Sequence, residues 1–228
     1  MKSQEFHKSF LDTCFGEDGS RIRPKIPIFI SSFYLFYIFQ FYIIFCSSRW
    51  SQKLIEFVIY QGSYYSFSHL GYFLKAHIND FNCSTHPNSI SGHTFYHLFF
   101  YVTFYVTYHH SKKAKSTLHK LSYYICQILH LVNLSLTYLG GYHTPRQIIA
   151  GAIFGIIVLI FTFLLKKYCS LRMNIFVYFL NMTISIYLAH NFCGYTPSFE
   201  LLTGPGFLWY FLAVIALYLD KNNKKKLE

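Results

Sequence analysis

Apolar residues in this chain gather into long continuous runs instead of alternating with polar ones. A helix needs roughly 20 residues to cross a bilayer core of about 30 Å. Runs near that length occur at 26–46, 54–74, 91–109, 121–139, 148–165 and 173–190, with a shorter one at 207–219. The last either borrows Leu201 and Leu202 across Gly204-Pro205-Gly206 or forms a re-entrant or interfacial piece. The pattern predicts an all-α fold, a polytopic membrane helix bundle with six to seven transmembrane helices, because a membrane β-barrel would need alternating strands. A polar segment at 1–25 precedes the bundle at 26–219, and a basic tail follows at 220–228. No apolar stretch stands ahead of Ile26, so the first helix is the expected targeting element.

Composition points the same way. Of 228 residues, 53% are hydrophobic and only 13% are charged, whereas a soluble domain carries about 25% charged residues. A net charge of +11 would suit a nucleic-acid binder, but apolar runs separate the Lys and Arg, so no nucleic-acid partner is expected. The basic residues carry topological information instead, since cytosolic loops retain an excess of them. Arg49 and Lys53 follow the first run, Lys112, Lys113, Lys115 and Lys120 the third, Lys166, Lys167 and Arg172 the fifth, and Lys221, Lys224, Lys225 and Lys226 the seventh. These thirteen of the 20 Lys and Arg mark the expected cytosolic face. The N-terminal segment and the loops at 75–90, 140–147 and 191–206 are then expected on the lumenal or outer face.

Two polar motifs fall in that lumenal set. The third run opens on Ser91-Gly92-His93-Thr94, and the fifth is preceded by Tyr142-His143-Thr144-Pro145-Arg146-Gln147. Two histidines at helix mouths on one face suit phosphoryl transfer. A neutral imidazole attacks phosphorus, and a second, protonated imidazole donates to the leaving oxygen. The unpaired N–H groups at the helix start after Ser91, with Gly92 permitting close approach, suit a phosphate. Arg146, Lys75 and the hydroxyls of Ser91 and Thr144 are further candidate donors, and Gln147 is placed to accept the imidazole N–H. This chemistry requires no metal and no cofactor. Each motif also has a plainer reading: Ser91 as an N-cap, and His143 as a turn residue before Pro145 in a first helical turn.

Ile90-Ser91-Gly92-His93-Thr94-Phe95, with Tyr142-His143-Thr144, Gln147 and Gly151 some fifty positions on, resembles the fat-storage-inducing transmembrane (FIT) proteins of the lipid phosphatase and phosphotransferase superfamily. The resemblance covers roughly 88–155. It implies a multi-pass endoplasmic-reticulum membrane protein whose lumenal site cleaves fatty acyl-CoA to acyl phosphopantetheine and adenosine bisphosphate, supporting lipid-droplet formation and lipid homeostasis. The implied partners are the membrane and a lipid substrate, either acyl-CoA or another lipid diphosphate. His143 matches the attacking histidine of that scheme, His93 the acid, and Ser91, Gly92, Thr144, Arg146 and Gln147 fall at substrate-binding positions. The chain departs from the superfamily at Thr137, where an Arg is usual, at Gln147, where an Asp is usual, and from FIT proteins at Ser89, where an Asp is usual. A neutral amide at 147 predicts slow chemistry. Two helices precede Ser91 where FIT proteins have three. Dolichyl or polyprenyl diphosphate phosphatases share Tyr-His-Thr, Gln and Gly at this spacing but keep the Arg. Sphingomyelin-synthase-like transferases share Ser-Gly-His-Thr but place an Asp after the second His. A non-catalytic neutral-lipid-binding membrane protein is the alternative from a different class.

Other residues carry weaker signals. His97, one turn beyond His93, reads as interfacial, and His69, His130 and His190 lie in or at the ends of helices. Glu56 lies near enough to the cytosolic end to snorkel. Gly151 and Gly155 form a G-x-x-x-G expected to pack closely on a neighbour. His77, Cys83 and His86 match no usual zinc spacing. A lumenal disulfide such as Cys83 to Cys193 would leave Cys14 odd, and Asn82-Cys83-Ser84 reads as a glycosylation sequon. A glycosylation tag inserted within 75–90 is expected to be modified and one within 110–120 to stay unmodified, read as an endoglycosidase-sensitive gel shift.

Overall fold

The computed structural model describes residues 14, 38, 40–42, 44, 50–83, 89–109, 116–193 and 205–225. Among them every regular element is a helix: α1 (Trp50–Ile78), α2 (Gly92–His109), α3 (Thr117–Leu139), α4 (Pro145–Tyr168), α5 (Leu171–Cys193) and α6 (Pro205–Lys225). Residues 38, 40–42 and 44 are helical as well. The all-α class is as the apolar runs predict. Most of the run at 26–46, all of 1–25 except Cys14, and 226–228 of the basic tail lie outside the described residues.

Local chemistry sets the helix ends. Ser116 caps α3, its hydroxyl accepting from the His119 N–H at 3.2 Å. Gly140 closes that helix onto the Leu136 carbonyl at 2.9 Å, and Gly141 turns the chain at φ 64°, a conformation that favours glycine. Three residues later Thr144 caps α4 and Pro145 opens it. Asn174 joins α4 to α5 by donating to the carbonyls of Leu165, Cys169 and Ser170.

α1 is central, packing on α5, α6, α2 and α4, while α2 lies between α3 and α4. The bundle has two distinct ends. At one, Asp80 and Ser91 meet the start of α4 through Gln147. At the other, Glu56 sits between Lys53 at 3.1 Å and Lys166 at 2.9 Å, Lys166 also donates to the Tyr60 hydroxyl, and Lys53 to the Thr107 carbonyl. The expectation that Glu56 snorkels outward does not hold; two ammonium groups keep it inside, which spares a carboxylate from being buried unpaired.

The interior mixes apolar and polar side chains, while the outer faces are apolar. Gln61, Ser63, His69, Asn133, Thr137, Thr162 and Asn174 are buried, whereas Ile149, Ile153, Ile157, Ile160 and Leu164 of α4 and Phe176, Leu180, Ile184 and Tyr187 of α5 face outward. By length and composition, α4 (mean hydropathy 3.0) and Leu171–Phe192 of α5 (1.3) qualify as membrane spans among the described residues. Only 28% and 17% of these apolar stretches are buried, so they are not core helices of the ordinary kind.

Gly151 and Gly155 perform the packing expected of them. A Cβ on Gly155 would lie 3.4 Å from Leu98, but one on Gly151 would come within 2.5 Å of the Ser91 carbonyl oxygen. α2 and α4 therefore touch backbone to backbone. Gly151→Ala is expected to cost about 1–3 kcal/mol by forcing the helices apart. Gly71→Ala, whose Cβ would meet Phe154 at an ordinary 3.6 Å, is the control, and thermal melting of the two purified variants is the measurement.

Candidate functional site

The contact between α2 and α4 brings the two histidine motifs together. The Ser91 N–H donates to the Gln147 carbonyl at 3.1 Å, which sets the start of α2 against the first turn of α4. His93 Nδ1 then lies 3.4 Å from His143 Nε2. His93 is exposed, while His143 is only 2% exposed, so the first ring covers the second. Tyr142 flanks His93 with ring centroids 6.0 Å apart.

On its other side His143 Nδ1 is 3.2 Å from Gln147 Oε1, the contact expected from the sequence. That oxygen also accepts from the Thr144 N–H at 3.1 Å. The Gln147 side-chain nitrogen donates to Asp80 Oδ2 at 2.9 Å and to the Asn82 carbonyl at 3.2 Å. Asp80 Oδ1 accepts from the Asn82 N–H at 2.9 Å, closing a tight loop after α1.

The remaining predicted residues take different places. Ser91 is buried and caps α2, its hydroxyl accepting from the Thr94 N–H at 3.1 Å and the Thr94 hydroxyl at 2.9 Å. Thr144, also buried, caps α4 and accepts from the Gln147 N–H at 3.3 Å. Both hydroxyls are thus used in organising helix starts. Arg146 is exposed on the first turn of α4. Gly92 lies beside Lys75, whose Nζ would be 3.4 Å from an added Cβ, so glycine makes room for an ammonium group at the mouth of α2. Burial pushes the Lys75 pKa down to about 8.

Three features depart from expectation. Cys83 is bonded to Cys14, with Cα atoms 5.6 Å apart, and not to Cys193, whose side chain lies outside the described residues. The alternative pairing fails because spacing alone does not reveal which cysteines the fold brings within reach. His97 is not interfacial: it is buried, with its Nδ1 3.1 Å from His130 Nδ1, one turn below His93. Asp80 belongs to neither histidine motif, and sequence reasoning misses it. Its signal is that no other acid lies between Glu56 and Glu200, which makes it the sole carboxylate of the loops at 75–90 and 140–147.

Chemically, the arrangement offers a nucleophilic nitrogen, a second imidazole over it, an ammonium group and a helix N-terminus. In-line attack needs the phosphorus about 3 Å from the nucleophile and a further hydrogen bond of about 2.8 Å from leaving oxygen to acid. A separation of 3.4 Å between the ring nitrogens leaves no room for both, so the exposed His93 ring must swing outward as the phosphate enters. Comparison with protein-family models, curated proteins and solved structures returns no match to this chain.

Lys75 gives the site a pH signature. The neighbours facing its ammonium are the Tyr72 ring at 5.6 Å, the start of α2 at Gly92, and His93. Because the amine loses its charge as pH rises through about 8, affinity for inorganic phosphate is expected to fall between about pH 7 and pH 9. Lys75→Arg, which stays charged throughout, should flatten that fall in a titration calorimetry series.

Proposed function

We propose that this chain is a membrane-embedded lipid diphosphatase resembling the FIT proteins, with fatty acyl-CoA as substrate and His143 as nucleophile. The observation that carries the reading is the geometry of His93, His143 and Gln147, drawn from motifs fifty residues apart into one cluster with the nucleophilic nitrogen facing the second imidazole. Three further observations support it. The outward faces of α3, α4, α5 and α6 are apolar around an interior that also buries many polar side chains, which suits a multi-pass bundle in lipid. The site stands at one end of the bundle and the Lys53, Glu56 and Lys166 cluster at the other, matching a lumenal site and a cytosolic basic face. The Cys14 to Cys83 disulfide beside the site suits an oxidising compartment such as the endoplasmic-reticulum lumen.

The reaction divides into two displacements. The Nε2 lone pair of His143 forms an N–P bond with one phosphorus of the diphosphate, and the bridging P–O bond breaks toward the other phosphate. His93, charged by a proton taken from water as the anionic diphosphate binds beside it, gives that proton to the departing oxygen. Water then attacks the phospho-histidine, its proton passes to His93, and the N–P bond breaks to restore both rings. Lys75 and the N–H groups opening α2 neutralise the phosphate throughout.

The test is hydrolysis by purified protein in detergent, with acyl-CoA and a polyprenyl diphosphate offered separately. Wild type should release adenosine bisphosphate from acyl-CoA; His143→Ala should lose at least about a thousandfold in kcat, and His93→Ala about a hundredfold. Equal product from wild type and both variants would remove the catalytic assignment. Preference for the polyprenyl substrate would move the protein to the dolichyl-type class.

A further inference from the structure

We propose that Asp80 is the positioning residue of this site, acting through the Gln147 amide to hold the His143 proton on Nδ1 and leave the Nε2 lone pair free to attack. The inference rests on the reading of His143 as nucleophile and names a residue that neither histidine motif contains.

The argument is one of donors and acceptors. An ionised carboxylate only accepts, and both Asp80 oxygens are engaged: Oδ1 by the Asn82 N–H and Oδ2 by the Gln147 side-chain nitrogen, each at 2.9 Å. The second hydrogen of the Gln147 NH2 faces the Asn82 carbonyl at 3.2 Å, and Oε1 faces the Thr144 N–H at 3.1 Å. Reversing the amide would set oxygen against two acceptors and NH2 against a donor, so one orientation is selected. Its oxygen, which can only accept, lies 3.2 Å from His143 Nδ1. That nitrogen must therefore carry the hydrogen. A neutral imidazole protonated at Nδ1 has its lone pair on Nε2, the atom directed at His93.

The same chain of contacts serves the reaction. As Nε2 bonds to phosphorus the ring becomes cationic, and its Nδ1–H strengthens as a donor. A neutral amide alone would stabilise that charge weakly. An amide whose nitrogen donates to a carboxylate is polarised toward a more negative oxygen, so the Asp80 charge reaches the ring one group removed.

The plainer account makes Asp80 a loop-closing residue, and it explains only Oδ1, whose bond to Asn82 is a local turn. Oδ2 reaches a residue 67 positions away. The loop is also held in an uncommon shape. Asn79 and Cys83 have φ of 56° and 64°; asparagine takes this left-handed backbone readily as it closes α1, whereas cysteine rarely does, and Cys83 is tied to Cys14. A closed helix end on one side of Asp80 and a covalent tie on the other fit a carboxylate that must stay in register with Gln147.

The experiment uses Asp80→Asn, Gln147→Glu and the double variant in the full-length protein. In Asp80→Asn one side-chain oxygen becomes NH2, so either the Asn82 N–H or the Gln147 NH2 meets a donor. Gln147→Glu alone sets two carboxylates 2.9 Å apart. The double variant exchanges the two groups and restores the pairing between positions 80 and 147, at the expense of the bond to the Asn82 carbonyl: the amide now at position 80 donates to the carboxylate now at position 147, which accepts directly from Nδ1–H. Two quantities are read: kcat and KM for acyl-CoA, and the His143 tautomer by nitrogen-15 NMR of histidine-labelled protein, assigned with His143→Gln. The expected result is a loss of at least about tenfold in kcat for each single variant with KM within about twofold, a mixed tautomer in Asp80→Asn, and in the double variant a return of the Nδ1–H tautomer with partial recovery of kcat. Wild-type kcat and an unchanged tautomer in Asp80→Asn would overturn the proposal, as would a double variant no better than Asp80→Asn. If wild type itself hydrolyses nothing, the diphosphatase reading fails, and the tautomer alone decides the role of Asp80.

Discussion

Everything at the functional end of the bundle depends on the backbone contact between Ser91 and the first two turns of α4. The Ser91 N–H would otherwise be an unpaired donor ahead of a helix. It finds the Gln147 carbonyl only because Gly151, one turn on, has no side chain to hold α2 away. Once that contact forms, His93 and His143 have little freedom to be elsewhere. Gln147 is then used three times: its backbone holds α2, its side-chain oxygen holds the imidazole and the α4 cap, and its side-chain nitrogen holds the loop after α1. A single residue thereby couples three segments distant in sequence.

Polar pairs stand within the interior for a related reason. Ser63 meets Thr162, Asn181 donates to Ser66 at 2.6 Å, and Trp209 donates to the Val58 carbonyl at 2.8 Å while its ring fills the space over Gly62. In surroundings without water, such pairs hold helices together where a hydrophobic driving force is weak. They also lower the hydropathy of α1 and α2, whose Gln, Ser, Thr and His residues turn inward. Average composition of a helix and the polarity of its outer face are therefore separate quantities here, and the latter bears on the solvent around the bundle.

Much of the fold was legible because helix periodicity and breaks are local. The runs among the described residues became helices, Pro145 opened α4, and Gly151 packed closely, each from signals within a few residues. The contact of His143 with Gln147 was legible for the same reason, four residues apart at a helix start, whereas the meeting of His93 with His143 followed from both motifs falling in one set of loops. What escaped depends on pairings between distant segments. Asp80 reaches Gln147, Cys83 reaches Cys14, His97 reaches His130, and Glu56 reaches Lys166. No pattern near Glu56 distinguishes a carboxylate that reaches outward from one met by a lysine 110 residues later. Ser91 and Thr144 take on a second task that their motifs did not announce: each hydroxyl oxygen accepts at a helix start.

The Cys14 to Cys83 bond carries a topological consequence independent of any charge count. For a chain threaded through lipid, two cysteines joined covalently must share one side, so the stretch between them would cross an even number of times. Parity is insensitive to where each crossing begins or ends. On a multi-pass reading it would set Cys14 on the side of Asp80 and the histidines by covalent connectivity instead of electrostatic bias.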